Sequence, residues 1–470
     1  METNNPLSQF RYEVYQHFNK RADSLMELVD ALSRNQSARS VAELSLAPCF
    51  RREYSALYKG ITACALTNTD LAHLAAPHIP APQQRNFRLV AVDVSAHPRV
   101  YSPTLTDRSC VYAPTVIKGN KPITLGHQYS TVVSLPEKEV GDAPWVIPLS
   151  TARVSSQADK ELVGAEQLSK LLADPTLPFG QELCVGVYDS SYSKPAFLHA
   201  QCQYPHQVTV TRVRGNRVFY RRYIPDLDAA AGCGHPRWYG ERFALRAPET
   251  WGTPGETYAF TLPRAAGKPH RVEIQAWHNL LMRGKRKPTP LPMHHHPFTL
   301  VRVQLYRADG SKVYQNPLWF IIIGQRRDEI TVPDAFHAYR QRFDIEHAYR
   351  FCKQRLLLTR YQTPETDHEQ TWWRLVHLAY LQLWVARSVA QRLPRPWERY
   401  LPTMQATAAL SPSLVQRDFG RIIRTLGTPA QPAKRRGYSP GRAEGTRSFK
   451  RERQTVVVKS KTQIQPASAD

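Results

Sequence analysis

The sequence predicts a multidomain α/β protein with a helical start, a strand-containing core, a β-rich insertion and a basic tail. Three observations carry this. Apolar residues recur at three- and four-residue spacing from Leu7 to Thr67. Two short runs that are apolar on both faces end in aspartate, FRLVAVD closing at Asp93 and LCVGVYD closing at Asp189. Between residues 208 and 330 the hydrophobic period changes to two.

In chain order, residues 1–80 form a predicted helical domain in which Asp23 and Ser37 serve as caps or breaks. It carries the basic side chains Lys20, Arg21, Arg51, Arg52 and Lys59 and closes at the proline-rich stretch AAPHIPAPQQR. Residues 85–200 hold the two aspartate-terminated strands. Residues 201–330 read as the β-rich insertion, with a hairpin turn at Gly215-Asn216 and a tight turn at Asp309-Gly310. Residues 331–395 return to helix, ending in a strongly apolar segment that stops at Pro394 and Pro396, and residues 396–430 are a C-terminal helical region. Residues 431–470 are polar and basic without periodicity, which predicts a disordered tail suited to diffuse phosphate contacts.

Composition narrows the function. The 470 residues are 42% hydrophobic, so the chain has material for real cores and is not disordered as a whole. Lys and Arg number 63 against 39 acids, a net +24 that calls for a polyanionic partner, and nucleic acid is the natural one. The longest apolar run, Leu318 to Ile323, is far below the ~20 residues of a membrane span. The start, METNNPLSQF, lacks signal-peptide character, so a cytoplasmic protein is expected. Seven cysteines without a C-x-x-C pair give neither a disulfide framework nor a zinc ribbon, and Cys233, His235 and His294 to His296 read as loop residues.

The stretch YRQRFDIEHAYRFCKQ, residues 339–354, is expected to be one helix. At ~100° per residue, with Tyr339 at zero, Arg342 falls at about 300°, Glu346 at about 340°, Arg350 at about 20° and Lys353 at about 320°. Ala338, Ile345, Ala348, Cys352 and Leu356 share the face between about 180° and 260°, which suits a core. The acid and the cations therefore border the buried stripe. A glutamate there, with two aspartates at strand ends, has the oxygen chemistry of a Mg²⁺ site. Taken alone, Glu346 pairing with Arg342 and Arg350 at helical spacing is the better explanation of the pattern.

The spacing Y-x2-R-x3-E-x6-K, here Tyr339, Arg342, Glu346 and Lys353, resembles the signature of bacterial insertion-sequence transposases of the DDE class, in the subgroup named for those four letters. The resemblance covers about residues 1–400. It implies an RNase H-like core, a mixed sheet with flanking helices interrupted by the β-rich insertion. Asp93, Asp189 and Glu346 would be its catalytic, metal-binding triad for two Mg²⁺ (or Mn²⁺) ions. Tyr339, Arg342 and Lys353, with Arg350 beside them, would hold DNA phosphates near the cut. Trp319 would stack on an extruded base, although it opens an apolar strand in which core packing is an equal reading. The implied partners are double-stranded DNA, as terminal inverted repeats and target, and a second copy of the chain in the DNA complex. The implied location is the bacterial cytoplasm, at the nucleoid, with no membrane. Two alternatives share the features: a domesticated, non-catalytic DNA-binding protein, and an RNase H-like nuclease without end specificity. GNKPITLGHQYS (119–130), with Lys121, His127 and Gln128, is a candidate channel lining or a structural hairpin. Asp107, Asp226 and Asp228 are rival carboxylates in turn-like contexts, and His97 is expected in a loop.

Overall fold

Asn5 opens the first helix: its side-chain oxygen accepts from the Leu7 amide, and Pro6 supplies a preset φ at the first helical position. In the computed structural model the described residues are 5–113, 122–224, 237–264, 267–284, 290–401, 410–434, 441, 443–447 and 449–458. Helices α1 (Pro6–His17), α2 (Ala22–Ser33), α3 (Tyr54–Ala63) and α4 (Asn68–Ala75) follow one another, the last started by a Thr67–Asp70 capping box. The expected cap Asp23 lies inside the first turn of α2, where it accepts from the Tyr15 hydroxyl, and Arg21 at φ +54° starts that helix.

These helices share a core with two later ones, α9 (Thr366–Ala386) and α10 (Pro412–Leu426). Gln382 of α9 donates to Asp30, and Arg11 joins Asp30 at 2.6 Å to the carbonyl of Gly427. Helix α9 stops at Ala386, short of Pro394, and Arg387 lays its guanidinium over the Trp384 ring at its end.

Among the described residues the main sheet has ten strands: β1 (Arg88–Pro98), β2 (Ser109–Tyr112), β3 (Ile123–Ser134), β4 (Ile147–Val154), β5 (Cys184–Tyr188), β6 (Gln207–Val213), β9 (Glu256–Leu262), β10 (His270–Leu280), β11 (Phe298–Tyr306) and β12 (Leu318–Ile323). Strands β7 (Val218–Arg222) and β8 (Tyr239–Ala244) form a separate pair. The order is β2-β3-β1-β5-β6-β12-β11-β10-β9, with β4 also on β3. Strands β1, β5 and β6 are parallel at the centre, joined by crossovers through α5 (Lys160–Ala173) and α6 (Pro195–Gln201), and the other pairings are antiparallel.

Two expectations about the β-rich block change. A turn exists at Gly215-Asn216, but β6 and β7 do not pair across it. Nearly every residue of β6 is buried, so that strand needs partners on both sides and takes β5 and β12. Through that β6–β12 pairing, β9 to β12 extend the central sheet and do not form a sheet of their own. The Asp309-Gly310 turn is present, with Gly310 at φ +81°.

A buried ionic hub ties α9 to the β1–β3 ribbon. Glu369, fully buried, accepts from His127 Nδ1 at 2.7 Å, from the Tyr129 hydroxyl at 2.9 Å and from Arg99. Trp373 donates to His97 Nδ1 at 2.9 Å. His97, expected in a loop, is thus an interior residue of β1. No helix among the described residues is long and apolar enough to cross a membrane.

Candidate active site

Register brings the two aspartates together. Strands β1 and β5 are parallel neighbours paired from Arg88↔Cys184 to Ala91↔Val187. The pairing ends there; Asp93 lies two residues past it within β1 and Asp189 two residues past it, just after the end of β5, near enough for the Asp189 charge to act on Asp93. Beyond this point β1 continues with β3 alone, Asp93 opposite Thr131, while β5 ends, so the aspartates sit where the sheet splits. Asp189 caps the 3₁₀ turn that follows; its Oδ1 accepts from the Ser191 amide at 2.8 Å and hydroxyl at 2.7 Å.

The third acid comes from α8 (Phe343–Arg355). The expected single helix over 339–354 is interrupted at Arg342, between α7 (Val332–Gln341) and α8, by hydrogen bonds from Arg342 N–H to Tyr339 and from Ile345 N–H to Arg342. The core face is as expected: Ala338, Ile345, Ala348, Cys352 and Leu356 are all buried. Tyr339 is buried too and stacks on Phe320 at 5.7 Å. Arg342, 6% exposed, lies over the Phe343 ring and reaches Glu346 Oε1 at 2.9 Å. Arg350 is exposed. Lys353 is half-buried, with its ammonium 5.9 Å from the Tyr349 ring.

Electrostatics couples these groups. Burial pushes the Asp93 carboxyl up to about 6; the Val94 amide and Arg342 pull it down, while Asp189 and Glu346 push it up. Burial would lower Arg342, but Tyr339, Asp93 and Glu346 beside it hold it above its ordinary value. Burial lowers Lys353, partly offset by Asp93. The site therefore collects negative charge that one buried arginine only partly neutralises.

Three carboxylates are hard oxygen donors of the kind that suit Mg²⁺. They are not drawn into a cage. Among the described residues no three His, Cys, Asp or Glu side chains are close enough to hold a metal ion. Glu346 is turned onto Arg342, and one oxygen of Asp189 is taken by Ser191.

Other predicted residues lie elsewhere. Trp319 is 3% exposed and packs edge-on against Trp251 at 5.1 Å, because β12 is an interior strand between β6 and β11. A ring buried this way is not presented to a DNA base. His127 faces the Glu369 hub, and Lys121 falls outside the described residues. Asp107 sits in a turn at φ +60°, paired with Arg153. Asp226, Asp228, Cys233 and His235 lie outside the described residues, and His294 to His296 fall in or beside a 3₁₀ turn.

Sequence reasoning missed two tyrosines. The Tyr349 hydroxyl donates to the Asp93 carbonyl at 2.9 Å, fixing the strand at its aspartate. Its place at about 280° on the wheel, between the polar arc and the core face, was the available signal. Tyr192, 1% exposed, has a hydroxyl without a hydrogen-bond partner, and the charges of Asp93 and Asp189 act on it. No local pattern marks it.

Comparison with curated proteins finds none that matches the chain. Residues 13–284 match the family described as DDE superfamily endonuclease, a span of more than half the chain that includes Asp93 and Asp189 and ends before Glu346. Such endonucleases act on DNA and generally use divalent metal ions, in keeping with the net positive charge and the oxygen-donor site. With a large mixed sheet and helices consistent with that nuclease fold, the chain belongs to the DDE superfamily endonucleases.

Proposed function

We propose that the protein is a cut-and-paste DNA transposase of the Y-R-E-K subgroup, which cleaves the ends of an insertion sequence and joins them to target DNA at one site. The observation that carries this reading is positional: Asp93 and Asp189 belong to the adjacent parallel strands β1 and β5, the latter just past its strand end, and Glu346 on α8 is held by the buried Arg342, whose charge also acts on Asp93. Asp93, Asp189 and Glu346 would hold Mg²⁺ or Mn²⁺, which supplies Lewis-acid activation of the attacking oxygen and offsets charge on the phosphodiester.

This chain's own groups do the rest. Arg342 and Lys353, whose charges act on Asp93, bind substrate phosphates, joined by the exposed Arg350 of α8. Arg342 is also the counter-ion of Glu346, so phosphate drawing the guanidinium away leaves the glutamate free to turn toward the aspartates. Ser191 and Tyr349 hold Asp189 and the Asp93 backbone in place. Tyr339, packed on Phe320, acts from within the core as the support of Arg342. Two ends must meet for joining, so the DNA complex contains a homodimer, and the helical N-terminal region takes part in recognising terminal repeats.

The test is an end-joining assay with Mg²⁺, using a duplex that carries the element's own terminus and a supercoiled target. Wild type is expected to yield joined product and Glu346→Gln none. Cleavage without joining or end preference would favour a general nuclease. Metal-independent binding without cleavage would favour a domesticated binder.

A further inference from the structure

The catalytic reading leaves the basic C-terminal stretch unused. It was expected to be disordered; of its described residues, Gln454 and Val457 bond to the loop before β2 and Val457 bridges the first residue of β2, an edge strand of the main sheet. An edge strand offers unpaired amides and carbonyls to another segment. Here the Gln454 N–H donates to the Pro103 carbonyl at 2.8 Å and the Val457 N–H to the Arg108 carbonyl at 2.8 Å, with Ser109 and Val457 in a parallel bridge. Arg451 pairs with Glu365 at 2.6 Å, ahead of α9. Arg447, Lys450 and Arg453 are exposed and make no ion pair among the described residues. Phe449 and Tyr101 are almost fully exposed beside them in sequence and on the paired loop respectively.

We propose that this segment is a docked DNA-contacting arm: its bonds to the loop before β2, the Val457–Ser109 bridge and the Arg451–Glu365 pair anchor it so that the exposed Arg447, Lys450 and Arg453 contact phosphates outside the carboxylate site. The proposal rests on DNA being the substrate. Pinning the arm removes ordering cost that a loose polybasic tail meets on binding. It also sets distance. Val457 pairs with Ser109, Ser109 with Gly126 and Gly126 with Pro98, and Asp93 lies five residues back along β1. At ~4.8 Å per strand and ~3.3 Å per residue, Val457 is roughly 20 Å from Asp93.

The test uses the full chain and a fluorescent duplex of mixed sequence, with affinity measured against salt. The variant Arg447→Ala/Lys450→Ala/Arg453→Ala is expected to bind at least tenfold more weakly near ~0.1 M salt, with a log–log salt slope shallower by about 2 to 3. Cys110 is exposed on β2 next to Ser109, so Val458→Cys is expected to oxidise onto it and lock the arm without loss of affinity, while adding Cys110→Ser prevents the lock. An unchanged salt slope in the triple variant overturns the proposal. So does a locked arm that binds as weakly as that variant, or failure of the disulfide to form. No binding by wild type is a different result, which removes the DNA-substrate reading itself.

Discussion

Replacing Glu369 by alanine tests the hub that clamps α9 onto the β1–β3 ribbon. Its carboxylate is fully buried and accepts from Arg99, His127 and Tyr129, and Arg99 itself is 1% exposed. Burial alone would raise Glu369, but His127, His97 and Arg99 more than offset it and hold the group at about 2. Glu369→Ala leaves the Arg99 guanidinium buried without a carboxylate, a class of change that costs about 3 to 5 kcal/mol. Replacing both charges by apolar groups, as in Arg99→Met/Glu369→Leu, removes the stranded charge and should cost less than the single change. Urea unfolding followed by circular dichroism measures both. The pH dependence has a definite sign. Because the folded value is depressed, this contribution is present above the ordinary carboxylate value and is lost as pH falls toward about 2. A loss under ~1 kcal/mol for Glu369→Ala, or a double variant less stable than the single, would refute the assignment of the hub as a load shared by buried charges.

Burial pushes His377, 3% exposed on α9, down to about 4, so it stays neutral in the folded protein. Between pH 6.5 and about 4 the unfolded chain binds the extra proton, and this residue costs stability as pH falls, at up to about 1.4 kcal/mol per unit. His377→Asn should flatten the stability–pH curve in that window by this slope, and a variant whose curve parallels wild type would contradict it. Tyr349→Phe removes one hydrogen bond to the Asp93 carbonyl and should cost about 0.5 to 1.5 kcal/mol in denaturant unfolding. No measurable cost would mean that the hydroxyl does not hold the strand.

How much of this was legible depends on range. Asp93 and Asp189 announced themselves because a run apolar on both faces has no ordinary reason to stop at a charge, yet β1 runs on past Asp93 to Pro98, and only Asp189 stands at a strand end. The pairing of their strands could not be read, since parallel pairing joins segments with α5 between them. The core face of α8 was readable from period alone, whereas the break at Arg342 was not, because none of the residues there is a helix breaker. At Gly215-Asn216 the turn signal was correct and the pairing was not: a turn reports chain reversal, but β5 and β12 offered β6 more burial than β7 did. Glu369 looked like an ordinary first-turn acid, and Arg99, His127 and Tyr129 reach it only through the fold. Composition made the tail look disordered, since it cannot report that a sheet edge is available to pair with it.

Ligand-switch substitution at the three acids tests the proposed chemistry most directly. Thiolate is a soft ligand that Mg²⁺ accepts poorly and Mn²⁺ accepts better. If Asp93, Asp189 and Glu346 act together on the metal, then Asp93→Cys, Asp189→Cys and Glu346→Cys should each lose end cleavage in Mg²⁺ and regain part of it in Mn²⁺. Wild-type cleavage in Mg²⁺ by any one of the three variants would contradict the claim that those carboxylates form the catalytic site.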